Sequence, residues 1–115
     1  MYTDSILFSI KKMLGIDAEY DVFDSDIIMH INSVFFVLNQ LGVGPENGFR
    51  ISSSTEKWDD YFLENQDIES VKSYVYLKVK LLFDPPLNSA VIEAINRQIA
   101  EIEWRLNVQV ENRGN

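Results

Sequence analysis

Cysteine is absent from all 115 residues, which excludes a disulfide framework, thiolate catalysis and any metal site built on sulfur. The absence suits assembly in a reducing compartment. Histidine occurs once, at His30. Basic residues are scarce: 10 Lys and Arg face 18 Asp and Glu, a net charge of −8. That balance opposes sequence-independent nucleic-acid binding, which relies on cations neutralising phosphates, and adsorption to anionic membranes. No apolar run approaches the roughly 20 residues needed to span a bilayer. The first residues, Met1-Tyr2-Thr3-Asp4-Ser5, lack the basic flank of a secretory signal. The expectation is a soluble, unprocessed chain made in the cytoplasm. No internal repeat is visible.

Much of what is present is apolar. A hydrophobic share of 46%, with 7 Phe, argues for a folded chain, and the length allows one domain with one core. Proline occurs 3 times, twice in succession at Pro85-Pro86. Two prolines remove two backbone donors and fix φ, so no helix runs through them. Asp84 is pushed toward extended geometry, and the chain divides there into two helices.

The spacing predicts a helix over 4–14, capped by Thr3 or Asp4, with Ile6, Leu7, Ile10, Met13 and Leu14 inward and Lys11 and Lys12 at the negative end of the dipole. Gly15 supplies its stop. A second helix over 26–41, capped by Asp24 or Ser25, is apolar around more than half its girth and is expected to be central. Residues 43–66 form a long loop, in which Phe49-Arg50-Ile51 is a candidate extended piece. Trp58, Tyr61 and Phe62 then cover the core from one or two helical turns. A third helix over 68–83, capped by Asp67, inserts Ile68, Val71, Val75, Val79 and Leu82. A fourth over 89–107 has a seam at Ile92, Ile95, Ile99, Ile102 and Leu106, stepping by three and four as in helical bundles. Burial of that seam is worth about 10 kcal/mol before entropy is charged against it. The Glu93–Arg97 and Glu101–Arg105 pairs add only some tenths of a kcal/mol each. Residues 108–115 carry no core pattern and are expected to form an extended C-terminal tail. The fold class is thus all-α: a small bundle of four main helices, with the domain over 1–107 and a tail after it.

No chemical motif survives inspection. His30 has no nucleophile or orienting partner in a local motif. The acidic run Asp17, Glu19, Asp21, Asp24, Asp26 puts Val22 where a calcium loop needs glycine and Ile28 where it needs the bidentate Glu, so it reads as a solvated, helix-capping loop. Gly42-Val43-Gly44-Pro45 lacks the Lys-Ser/Thr pair of a phosphate loop. Glu101 and Glu103 lie on different helix faces and cannot converge as an acid/base pair. No enzyme, cofactor or metal is expected. Trp104 lies off the seam, and is either part of a second core face or an anchor for a partner chain. Tyr2, Tyr20, Tyr61 and Tyr76 pose the same alternative.

Four stretches in order do resemble a known group: Ile-Met-His-Ile-Asn-Ser-Val-Phe at 28–35, Leu-Asn-Gln-Leu-Gly-Val-Gly-Pro at 38–45, Tyr-Leu-Lys-Val-Lys-Leu-Leu-Phe-Asp-Pro-Pro at 76–86 and Ile-Glu-Trp-Arg-Leu-Asn at 102–107. Together they are similar to the small head–tail connector (adaptor) proteins of long-tailed phages and prophages of Gram-positive bacteria, often labelled DNA-packaging proteins. The resemblance implies an all-helical virion protein of the phage neck, made in the host cytoplasm. Its copies would form a twelvefold ring under the portal protein, extend the DNA channel and meet a tail-side stopper or completion protein. Genomic DNA would pass without sequence-specific binding, and no membrane is involved. It also implies that the C-terminal region docks on the portal, which assigns Trp104, Arg105, Leu106, Asn107 and Val108 to that contact. The 43–66 loop, including Phe49 and Trp58, is then assigned to neighbour or tail contacts. The alternatives are a DNA-binding packaging accessory and an enzyme in a familiar scaffold.

Overall fold

In the computed structural model, which describes residues 4–61 and 67–113, five helices follow one another: α1 (Ile6–Leu14), α2 (Asp24–Gln40), α3 (Trp58–Tyr61), α4 (Ile68–Phe83) and α5 (Ser89–Arg113). Among the described residues there is no strand, only an isolated bridge between Ser5 and Lys57. The four main helices are those expected from periodicity. α4 is the hub: it packs against α1, α2 and α5. α2 runs antiparallel to it, since Phe23, just before α2, meets Phe83 at the end of α4 with ring centroids 5.4 Å apart. α5 folds back along α4, and Tyr74 Oη donates to Glu103 Oε2 at 2.7 Å. The Asp84-Pro85-Pro86 break makes that reversal. Lys80 Nζ, 2.9 Å from Asp84 Oδ2, ties the turn to the last turn of α4.

The core is made by the expected stripes. Ile6, Leu7 and Ile10 of α1, Ile27, Ile31, Val34, Phe35 and Leu38 of α2, and Ile68, Val71, Val75 and Val79 of α4 are all buried. Met13 and Leu82, placed inward by their spacing, are instead exposed.

Three local expectations are corrected. Ser5, rather than Thr3 or Asp4, caps α1, accepting from Phe8 N at 3.2 Å. α2 begins at Asp24 with Phe23 at its cap position and no side-chain cap, because the Asp24 carboxylate is held by Lys11 at 2.8 Å. Lys11 stands in the last turn of α1, as the spacing predicts, and is fully buried there. The stretch expected as a tail is helix: α5 continues to Arg113. Its seam steps four more residues from Leu106 to Val110, which packs on the core. A Cβ at Gly42 would lie 3.1 Å from Val110 Cγ1, so the chain leaving α2 lies directly against the end of α5.

The excursion after α2 is also packed. Gly44 has φ 92°, and a Cβ there would meet the Tyr61 ring at 2.6 Å, so the backbone lies on that aromatic face. Phe35, Phe49 and Tyr61 form one aromatic group, with centroids 4.8–5.4 Å apart. Asn32 of α2 donates to Ile51 O at 2.9 Å and accepts from Ile51 N at 2.7 Å, as a neighbouring strand would. One amide side chain thereby satisfies both backbone groups of Ile51. The one helical turn of α3 fulfils the expectation for 58–61. Tyr2 and Phe62 lie outside the described residues.

Candidate interaction surfaces

The α1–α2 connection is shaped by a buried cation. Leu7, Lys11 and Leu14 follow helical spacing, so Lys11 is carried into the interior with the apolar face. Its ammonium donates to Ala18 O at 3.0 Å and Tyr20 O at 2.8 Å and pairs with Asp24 at 2.8 Å. A buried charge is tolerable only when paired and hydrogen-bonded in this way. The loop read from sequence as merely solvated therefore has its backbone wrapped on Lys11, while Asp17, Glu19, Tyr20, Asp21 and Val22 point outward as exposed residues. The signal for this lay in a lysine at an apolar-face position followed by five acids. Tyr20, Phe23 and Phe83 continue edge to face across this pole of the molecule, with centroids 5.4–5.9 Å apart.

His30 packs beside Phe83, centroids 6.4 Å apart. Among the described residues no group of three or more His, Asp or Glu could hold a metal ion, and no helix is long and apolar enough to cross a membrane.

The residues assigned to partner contacts separate into two groups. Trp104 is 66% exposed, which removes the core alternative and leaves a large indole in solvent on the outer side of α5. Arg105 and Asn107 are exposed beside it and Val108 is half-buried. Arg105 Nη2 lies 3.4 Å from Glu101 Oε2. Leu106, by contrast, is 1% exposed: it holds α5 down and does not reach a partner. Trp58, at 0%, is likewise core, with its Nε1 donating to Ser9 Oγ at 2.8 Å and Lys72 Nζ 5.6 Å from its ring. Phe49 is half-buried in the aromatic group of Phe35 and Tyr61. Of the seven, the structure brings together Trp104, Arg105, Asn107 and Val108 on the accessible outer side of α5, and assigns Leu106, Trp58 and most of Phe49 to packing. Tyr20 is exposed, Tyr61 buried and Tyr76 half-buried.

Two contacts of titratable groups brace α5. The Tyr74 hydroxyl is pushed upward, first by burial and then by its bond to Glu103 and that carboxylate's charge. It therefore stays protonated and donates. Asp67 is held below the usual carboxylate range, chiefly by the Ser70 hydroxyl, against some burial, and further by Ser70 N, Gln109 and Arg105. Asp67 thus caps α4 and also receives Gln109 from the part of α5 that was expected to be a tail.

A family model described as phage connector protein matches residues 6–113, the whole span from the start of α1 to the end of α5. The chain belongs to the phage connector protein family. No curated protein and no solved structure matches it. Connectors are structural components of the phage neck, between portal and tail. In this connector the match includes the α4–turn–α5 hairpin and the extended α5, the two features that set where Trp104 projects.

Proposed function

We propose that this connector works as a head–tail adaptor whose copies form a ring under the portal, extending the DNA channel toward the tail, with the twelvefold symmetry of the portal. The observation that carries the reading is the match to the connector family over nearly the entire chain. The outer side of α5 around Trp104 fits the docking role: Trp and Arg, exposed there side by side, are both enriched in binding hot spots, and α5 holds them on a rigid helix about 37 Å long. Trp104, Arg105, Asn107 and Val108 meet the portal in this reading, and Leu106 sets the angle of the helix that presents them. A ring also requires two different patches on each copy. A net charge of −8 favours sliding of the duplex past the ring over its capture, since few cations are present to displace its counterions. The protein acts by position in this role and performs no chemical step.

The test is imaging of portal-bearing particles with and without this chain. Added density forming a closed ring below the portal is the expected result. Particles whose portal gains no density would overturn the reading, and salt-sensitive binding of free duplex DNA would favour a packaging accessory instead.

A further inference from the structure

We infer that the acidic aromatic pole of one copy, Asp17–Phe23, seats on the outer face of α2 in the next copy, centred on Phe36. This deepens the ring reading above by naming the two patches, and it rests on that reading only for the contact between copies.

The two surfaces are unlike in both shape and charge. From Met13 to Phe49 the chain has no Lys or Arg, and the pole projects Asp17, Glu19 and Asp21 around the exposed Tyr20 and Val22. Lys11 holds this loop from beneath through two backbone carbonyls, so its shape is set before any partner arrives. Such preorganisation reduces the ordering cost of association.

The outer face of α2 is the counterpart. Phe36 is 63% exposed, with Met29 exposed on the same face seven residues earlier and Leu82 of α4 also exposed. Phe36 lies on the rim of a concavity of about 600 Å³ that reaches Asn32, Asn39 and Arg50. A second hollow, of about 270 Å³, shares Ser33 and extends to Lys78, Leu82 and Asn96. Among the described residues no carboxylate lines either hollow, and the charged residues there are Arg50 and Lys78. Glu46 lies in the adjoining turn, exposed and outside both linings. In so acidic a protein, a face that exposes Phe36 and Met29 among neutral polar groups, and whose described charged lining is cationic, is a distinctive surface.

Tyr20 and Val22 fit the hollows beside Phe36, with Asp21 and Glu19 toward Arg50 and Lys78. Phe36 stands twelve residues along α2 from Asp24, about 18 Å at the helical rise, so the centre of the receiving face is distinct from the pole, while its Leu82 edge adjoins Phe83, on which Phe23 packs. Their pairing is heterologous and propagates from copy to copy, as a ring needs. Opposed charges at the rim contribute mainly to encounter rate and register, and are weakened by salt.

The lack of cysteine permits a direct test. Chains carrying Val22→Cys and Ser33→Cys together, assembled on portal-bearing particles and also concentrated as purified protein, are oxidised and resolved by size. A disulfide closes only when the two Cα atoms come within about 7 Å. The double variant is expected to give a ladder of linked copies, while each single variant stays largely monomeric. In the purified protein, Arg50→Glu is expected to weaken association at least tenfold, and Asp21→Arg in the same chain to restore much of it. Both positions are exposed, and circular dichroism checks that the variants fold.

Four results would overturn the inference. One is ring density on the particles without linkage in the double variant. Another is dimerisation of Val22→Cys alone, which would mean that pole meets pole. The third is loss of particle binding in Arg50→Glu with no linkage between copies, which would give the α2 face to the portal. Absence of ring density altogether defeats the ring reading; linkage in concentrated protein would still support this pairing, and its absence there would defeat it too.

Discussion

Trp58 and Trp104 are the two tryptophans of the chain, and the fold treats them oppositely. Trp58 sits in an excursion between helices, in a region rich in turn residues, yet it is fully buried and its indole N–H is bonded to Ser9. Trp104 sits on the most regular helix of the molecule and is two-thirds exposed. Irregular backbone therefore does not mean surface, and regular backbone does not mean core. Each position is decided by the direction of the side chain relative to α4. Trp58 is carried inward by a short turn tied to α1 at the Ser5–Lys57 bridge. Trp104 falls between the seam residues Ile102 and Leu106, on the side of α5 that turns away from α4. The contrast separates a region that makes the fold from one that is free to use it.

The largest expected effect is on the buried member of the pair. Trp58→Ala should cost about 3–5 kcal/mol, a large share of the 5–15 kcal/mol typical of whole domains. It is measured as a fall in the urea midpoint, with loss of the tertiary signal of the aromatic group. Gly44→Ala tests the same region from the backbone side. The added methyl meets both a positive φ and the Tyr61 ring, so a loss of about 1–3 kcal/mol is expected. An unchanged midpoint for Gly44→Ala would mean that the excursion is only loosely attached.

The sequence carried the four main helices plainly, because their apolar stripes run for nine or more residues and Pro85-Pro86 punctuates the last two. It carried the ends less well. Val108 and Val110 alternate with polar residues and suggest extended chain, but Val110 also lies four residues beyond Leu106, and Gly42 leaves room for it. That partner comes from the far side of the sequence, so local pattern alone does not reveal it. The Lys11 site was legible only in part: a lysine on the apolar face ahead of five acids points to Asp24, but its other ligands are the backbone carbonyls of Ala18 and Tyr20, and carbonyls have no residue signature. Among the contact residues, the spacing already put Leu106 on the seam and Trp104 off it; the family motif grouped them, and the helix phase against α4 sends one outward and the other in.

Asp67 sharpens the comparison at a smaller scale, since it joins the end of the excursion to the end of α5. Its carboxyl is held below the ordinary range, so the charged form is the one the fold favours. The stabilisation is present above the unfolded-state value, near pH 4, and is lost as pH falls through the lower folded-state value. Asp67→Ala should cost about 1 kcal/mol at neutral pH and flatten the acid limb of a melting-temperature profile. An acid limb identical to that of the parent chain would show that Ser70 and Gln109 do not favour the ionised carboxylate.

Trp104→Ala should have the smallest effect on stability, within about 0.5 kcal/mol, because a side chain exposed to this degree has little folded packing to lose. Its effect on assembly is expected to be the reverse of that of a core change: a normal urea midpoint, normal helix content, and failure to join portal-bearing particles. The measurement pairs a denaturation curve with particle binding on the same sample. A variant that folds and binds as well as the parent would remove Trp104 from the docking surface. A variant that unfolds would contradict the exposure of the indole. The combination of intact fold and lost binding is the only outcome in which the outer face of α5 serves a partner and not the domain itself, and the opposite combination at Trp58 supplies the control.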